Sequence, residues 1–139
     1  MMKYISVLEY LGQTKYDELN DKQIQNMNTL IPKVNDLLEK FGSYRSITSG
    51  FRKMEDHIRI YKEKLGSNYA ISKVPMGSQH LNAFAVDLED TDGKLDEWCL
   101  NNLNILEKIG LWLESPDHTE GWCHLQGNPP KSKKRIFIP

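Results

Sequence analysis

"SQHLNAFAVDL", residues 78–88, places a histidine and an aspartate, His80 and Asp87, seven positions apart, with small or apolar residues and one asparagine between them. The chain has only four histidines, and this one opens a run whose "AFAVDL" segment has the character of a core strand. The residues allow two readings. In one, a buried strand has polar ends and the histidine is a hydrogen-bonded core residue. In the other, the two side chains hold something together.

Downstream, "GWCHLQ" (121–126) and "LWLE" (111–114) read as two strands of a hairpin joined by "SPDHTE", and "RIFIP" adds a short edge strand that Pro139 terminates. Upstream, "SITSGF" (46–51) is β-like and ends in a turn. Helical periodicity runs from Tyr16 to Phe41 through Ile24, Met27, Leu30, Ile31, Val34, Leu37 and Leu38, and Gly42 closes it. Pro32 interrupts this run, predicting a kinked helix or two helices. "RKMEDHIRIYKEKLG" (52–66) predicts a charged amphipathic helix with Met54, Ile58, Tyr61 and Leu65 on one face. "DTDGKLDEWCLNNLNILEKIG" predicts one further helix, capped by Asp90 or Asp92 and stopped by Gly110. The fold class is α+β, with N-terminal helices packed on a small, mainly antiparallel sheet.

The 139 residues suit one domain, with a helical part over about residues 1–42 and a site-bearing part over about 43–139. A net charge of -1 gives no general basic field for nucleic acid or an anionic membrane, and "KSKKR" (131–135) reads as a solvated edge. No apolar run has the length of a transmembrane segment. The N-terminus lacks a secretory h-region, so synthesis in the cytoplasm without a signal peptide is expected. Cys99 and Cys123, outside any CxxC pair, read as structural thiols, and the parity of Cys123 points it into the core. A monomer is expected.

Three histidines belong to the strand and loop half; His57, inside the charged helix, reads as a surface residue. Zinc takes imidazole and carboxylate ligands, and a catalytic site keeps three protein ligands and one open position. His80, Asp87 and His124 supply such a set, although a core histidine on an apolar strand fits the same spacing.

"SQHLNAFAVDL" resembles the S-x-H-x-x-G-x-A-x-D signature of zinc D-alanyl-D-alanine carboxypeptidases and related phage endolysins, whose metal-site architecture the hedgehog signalling domain shares. Ser78, His80, Ala85 and Asp87 match, and Ala83 stands where the family has glycine. "ITSGFR" (47–52) resembles the family's S-G-[YF]-R segment, and "GWCHLQ" its W-x-H strand. The resemblance implies Zn2+ on His80, Asp87 and His124. It also implies Arg52 in the cleft, pairing with a substrate carboxylate or the developing oxyanion, for which a permanently charged, two-pronged donor is suited. Ser78 would orient His80 or a substrate group, and Trp122 would pack against the site or form a cleft wall.

Catalysis needs a carboxylate to take a proton from the attacking water and deliver it to the leaving amine. Many relatives carry it three residues before the last histidine, where this chain has Gly121. Glu120 shares strand parity with Trp122 and His124 if "EGWCH" is extended. Glu114 would lie beside Trp122 if the hairpin pairs 114 with 122. His118 is a third candidate. The implied function is a zinc peptidase cutting an amide bond in the peptide stem of bacterial peptidoglycan, either a D,D-carboxypeptidase or an endolysin-type endopeptidase, phage- or prophage-encoded. Without an export signal, such an enzyme would reach the wall after release or as part of a virion. The alternative is a non-catalytic, zinc-stabilised module that binds a peptide or protein.

Overall fold

The computed structural model describes residues 3–139. A short helix α1 (Val7–Leu11) is followed by the long α2 (Asp21–Phe41), strand β1 (Ile47–Ser49) and helix α3 (Met54–Leu65). Then come β2 (Ala85–Asp90), α4 (Lys94–Leu100), α5 (Leu103–Ile109), β3 (Trp112–Glu114), β4 (Gly121–Gln126) and β5 (Ile136–Phe137). The strands form one sheet in the order β1-β2-β4-β3-β5, antiparallel except for the parallel β3–β5 edge. The α+β class and the small, mainly antiparallel sheet match the reading of the sequence. Among the described residues, no helix is long and apolar enough to cross a membrane.

Helix α2 is continuous through Pro32. Asn20 and Gln23 form a reciprocal cap at its start, and Gly42 ends it in the left-handed region at φ 94°. Proline inside a helix costs about 3 kcal/mol, partly through the hydrogen bond it removes. Pro32 and Asn28, the residue whose carbonyl loses its donor, both face solvent. On the opposite side, Met27, Leu30, Ile31, Val34, Leu37 and Leu38 are buried. At roughly 1.5–3 kcal/mol per buried apolar side chain, this stripe outweighs the proline and holds the helix in one piece.

The single helix predicted after Asp90 is instead two, broken at Asn101 and Asn102. The Asn102 side-chain amide donates to the Trp98 carbonyl at 2.8 Å, the acceptor that a continuing helix would offer to the Asn102 backbone. Both proposed caps operate. The carboxylate oxygens of Asp90 accept from the N–H groups of Leu95 and Asp96, each at 2.9 Å, and Asp92 accepts from Lys94 N–H at 3.1 Å. Arg45 Nη1 lies 3.2 Å from an oxygen of each aspartate and ties β2 to the start of α4.

The two faces of the sheet have different jobs. Val86, Leu88, Leu113, Cys123 and Leu125 join the buried side chains of α2, α4 and α5 in one core. Cys99 and Cys123 are buried and free. Alternation then sends Asp87, Trp122, His124 and Gln126 to the other face.

Asp96, in the first turn of α4, is buried and its carboxyl is pushed up to about 7, chiefly by burial, with neighbouring Asp90 adding to the rise. A carboxyl group whose pKa is higher folded than unfolded favours the fold below its unfolded pKa, and that contribution fades as pH rises through about 7. Replacing Asp96 by Asn removes the ionisation and keeps the size. The variant is expected to raise the midpoint of thermal unfolding relative to the parent at pH 8.5 and to bring a smaller gain at pH 5, as read by calorimetry at both values.

Candidate metal centre

The β2–β4 ladder sets Asp87 directly opposite His124, and Ser49 of β1 lies opposite Asp87 on the other side. His124 Nδ1 is 2.7 Å from Asp87 Oδ1. His80 approaches the same oxygen from the turn before β2, with Nε2 at 3.3 Å. All three residues are buried, and one potential ligand atom from each lies within 4.8 Å of the others. The three side chains that the sequence suggested as a set are brought together.

Each imidazole is also gripped from behind. The outward nitrogen of His80, Nδ1, lies 2.8 Å from the carbonyl of Gly50, and His124 Nε2 lies 2.9 Å from Gln126 Oε1. Both partners are acceptors, so each outer nitrogen donates to its partner, and the inner nitrogens face the Asp87 carboxylate, to which His124 Nδ1 also donates. Gln126 is itself fixed by donating to the Asn128 carbonyl at 2.9 Å. Outer hydrogen bonds of this kind orient metal-ligating histidines. Two inward nitrogens and one carboxylate oxygen, buried and mutually close, could hold a metal ion.

The local backbone explains the "SGF" and "SQHLNA" patterns. A side chain on Gly50 would place its Cβ 2.1 Å from the Tyr10 carbonyl oxygen, so only glycine lets β1 approach α1 and still aim its own carbonyl at His80. Phe51 N–H donates to that Tyr10 carbonyl, and the Tyr10 hydroxyl donates to Ala85 O at 2.7 Å. Ala83 adopts φ 56°, in the left-handed region that favours glycine. An alanine there carries strain of the order of 1 kcal/mol.

Electrostatics within the cluster are decided by hydrogen bonding rather than desolvation. Burial raises the Asp87 pKa, but hydrogen bonds from His124 and His80 outweigh it and hold the carboxyl below its usual range. For His124, burial favours the neutral ring, yet Asp87 and Gln126 prevail and raise its pKa. In the metal-free protein this ring is therefore a proton-holding partner of Asp87.

The other expected residues are distributed unevenly. Arg52 lies beside the cluster, its Nη2 3.9 Å from Asp87 Oδ2 and its backbone N–H donating to the His80 carbonyl at 3.1 Å. Ser78 Oγ accepts from the backbone N–H of His80 at 3.3 Å, so it fixes the turn rather than the imidazole. Trp122 is half-buried on the same face as His124.

The hairpin register differs from the one considered. Trp112 pairs with Gln126 and Leu113 with Leu125, which brings Glu114 level with His124 instead of Trp122. Glu114 is half-buried, and burial raises its pKa. It stands outside the three-residue ligand group, a neighbour of the cluster rather than a member. Glu120 does not share the face expected of it. Gly121 has φ 95°, which breaks the extended parity, and Glu120 is exposed along a groove with Asp90, Asp92, Asp96 and Asp117. His118 is exposed in a single 3-10 turn, Pro116–His118.

His57 corrects the sequence reading most sharply. It is 0% exposed, whereas Met54, expected on the apolar face of α3, is 47% exposed and Ile58, Tyr61 and Leu65 are only half-buried. Its charged neighbours Glu55, Asp56 and Arg59 concealed the face that turns inward. Gln126 also supports the cluster, and its spacing of two from His124 is the sequence signal for it: same strand, same face.

No family model, no curated protein and no solved structure matches this chain.

A metal ion must displace the proton that His124 holds in the metal-free protein. Titration with a divalent transition metal is expected to release protons and to weaken as pH falls through the His124 transition. Calorimetry in buffers of different ionisation enthalpy measures the release, and a pH-independent affinity between pH 5 and 8 would count against it.

Proposed function

We propose that the chain is a zinc peptidase that hydrolyses an amide bond in the peptide stem of bacterial peptidoglycan, as a D,D-carboxypeptidase or an endolysin-type endopeptidase of phage or prophage origin. The observation that carries this reading is the buried convergence of His80, Asp87 and His124, each imidazole backed by an oxygen acceptor. The donor set fits zinc, which accepts imidazole nitrogen and carboxylate oxygen and leaves a fourth position open in catalytic sites. The order of the "SGFR", "SQHLNAFAVDL" and "GWCHLQ" segments supports the same assignment by resemblance.

When bound, zinc supplies Lewis acidity to the scissile carbonyl and to the attacking water. The remaining work falls to side chains of this protein. Glu114 is the general base and then the general acid: it takes the water's proton and delivers it to the leaving amine. Its raised pKa suits both roles: the carboxylate is a stronger base towards the water, and the acid it becomes retains the proton until the amine departs. Arg52 donates hydrogen bonds to a substrate carboxylate or to the oxyanion as the carbonyl carbon becomes tetrahedral. Trp122 forms a wall of the cleft. Ser78 and Gly50 keep His80 at a fixed angle through their contacts with its backbone and ring.

Incubation of the zinc-loaded protein with purified peptidoglycan is expected to generate new amine termini. Glu114→Gln should retain stoichiometric zinc and lose about 100-fold or more in kcat, the usual range for removing an acid–base group. Glu120→Gln should stay within about 3-fold of the parent, since surface changes away from the chemistry are small. His80→Ala should lose both zinc and hydrolysis. A fully zinc-loaded protein that releases no amine at any pH would instead favour a non-catalytic binding module.

A further inference from the structure

The buried histidine of α3 lies outside the three-residue ligand group, yet it is connected to it through Arg52. His57 Nε2 lies 2.7 Å from the carbonyl oxygen of Pro75, so that nitrogen carries the proton and donates. The other nitrogen, Nδ1, then has a free lone pair, and Arg52 Nη1 donates to it at 3.4 Å. Arg52 Nε donates to Ser49 Oγ at 3.1 Å. Two edges of the guanidinium are therefore held by neutral acceptors, and its third edge, Nη2, faces Asp87 at 3.9 Å.

We propose that His57 is a positioning residue for substrate recognition: its Nδ1 lone pair holds Arg52 clear of a full ion pair with Asp87 and presents the guanidinium to a carboxylate of the substrate. This inference rests on the peptidase reading and assigns a role that reading does not contain. A guanidinium has five N–H donors in a flat fork, and a free one beside a carboxylate swings into a two-pronged pair with it. Such a pair would occupy Asp87, which the metal needs, and would discharge Arg52, which an anionic substrate needs. Neutral acceptors at Nε and Nη1 fix the plane of the fork without cancelling its charge. An aspartate or glutamate in place of His57 would fix it and cancel the charge.

The choice of nitrogen matters. The Pro75 carbonyl selects the tautomer that leaves Nδ1 bare towards Arg52, while an imidazolium would repel the guanidinium. Burial lowers the His57 pKa and keeps the ring neutral, in support of this arrangement. The contact with Pro75 also ties the loop after α3 to the cleft, so the segment leading to Ser78 and His80 and the arginine share one anchor.

The test uses the zinc-loaded full chain. Nitrogen NMR of the imidazoles is expected to show His57 protonated at Nε2 with a pyridine-type Nδ1, and the Nδ1 signal should move in Arg52→Ala. For a soluble pentapeptide stem, His57→Leu is expected to raise KM by about 10- to 100-fold, the scale of losing one hydrogen bond to a charged group, with kcat within about 3-fold. In the Arg52→Ala background the same replacement should change KM by less than about 2-fold, because the two residues act as one unit. His57→Asn, which keeps an acceptor near the Nδ1 position, should recover most of the loss. A proton on Nδ1, or losses that simply add in the double variant, overturns the assignment. If the parent cleaves nothing, the peptidase reading fails, and the tautomer and its response to Arg52→Ala then decide the role of His57 unaided.

Discussion

The antiparallel ladder between β2 and β4 is the constraint on which the rest depends. It pairs Asp87 with His124, Leu88 with Cys123 and Val86 with Leu125. A slip of one residue would turn every β4 side chain to the wrong face. The core therefore protects the site. Leu88, Cys123 and Leu125 are each 0% exposed against the helices, and the register that buries them is the one that brings an imidazole against the carboxylate. The apolar face contributes most of the stability, since burial is the dominant favourable term in folding. The polar face inherits its geometry from that packing.

His80 needs a second device, because it comes from a turn. The "SQHLNA" stretch winds through successive backbone hydrogen bonds, from Leu81 N–H to Ser78 O and from Ala83 N–H to His80 O, before β2 begins. Ala83 takes a left-handed conformation to complete the winding. The carbonyl of Gly50 then sets the angle of the ring, and that carbonyl is in place only because a residue without a side chain can lie against Tyr10. The helix α1, though only five residues long, is thus coupled to the cluster through one close approach.

How much of this can be read from the chain depends on the range of the interaction. Local alternation in "AFAVDL" and "GWCHLQ" predicts which residues share a face, and it finds Asp87 and His124 and consigns Cys123 to the core. Helix stops at Gly42 and Gly66 are equally local, as are the aspartates that cap α4. Properties that depend on partners far along the chain are not visible. The register of β3 against β4, which brings Glu114 level with His124, follows from three-dimensional packing. Parity fails at Glu120 because one glycine with positive φ intervenes. His57 looks exposed because its neighbours are charged, whereas it is buried with its Nε2 on the carbonyl of Pro75, eighteen residues on. Asn102 ended a helix that periodicity alone would have continued, since hydrophobic spacing carries no record of a side-chain amide competing for a carbonyl.

The charges around the cluster point to the kind of ligand it suits. The whole chain carries a formal charge of -1, too little to steer any ion at long range. Close to the cluster the balance is different. Asp87 is ionised and accepts from the protonated side of His124, while Arg52 stands beside them with its guanidinium on neutral partners, Ser49 and His57. Under the proposed function, a divalent cation would replace that proton and the neighbourhood would become more positive, with Glu114 as the nearby carboxyl still able to exchange a proton. Under that reading a partly buried charge pair is screened far less than one in water, which favours ligands that bring their own negative charge. A peptide stem with free carboxylates meets that requirement. A histidine suits such an arginine as an anchor, since it supplies a fixed lone pair and leaves the positive charge uncancelled.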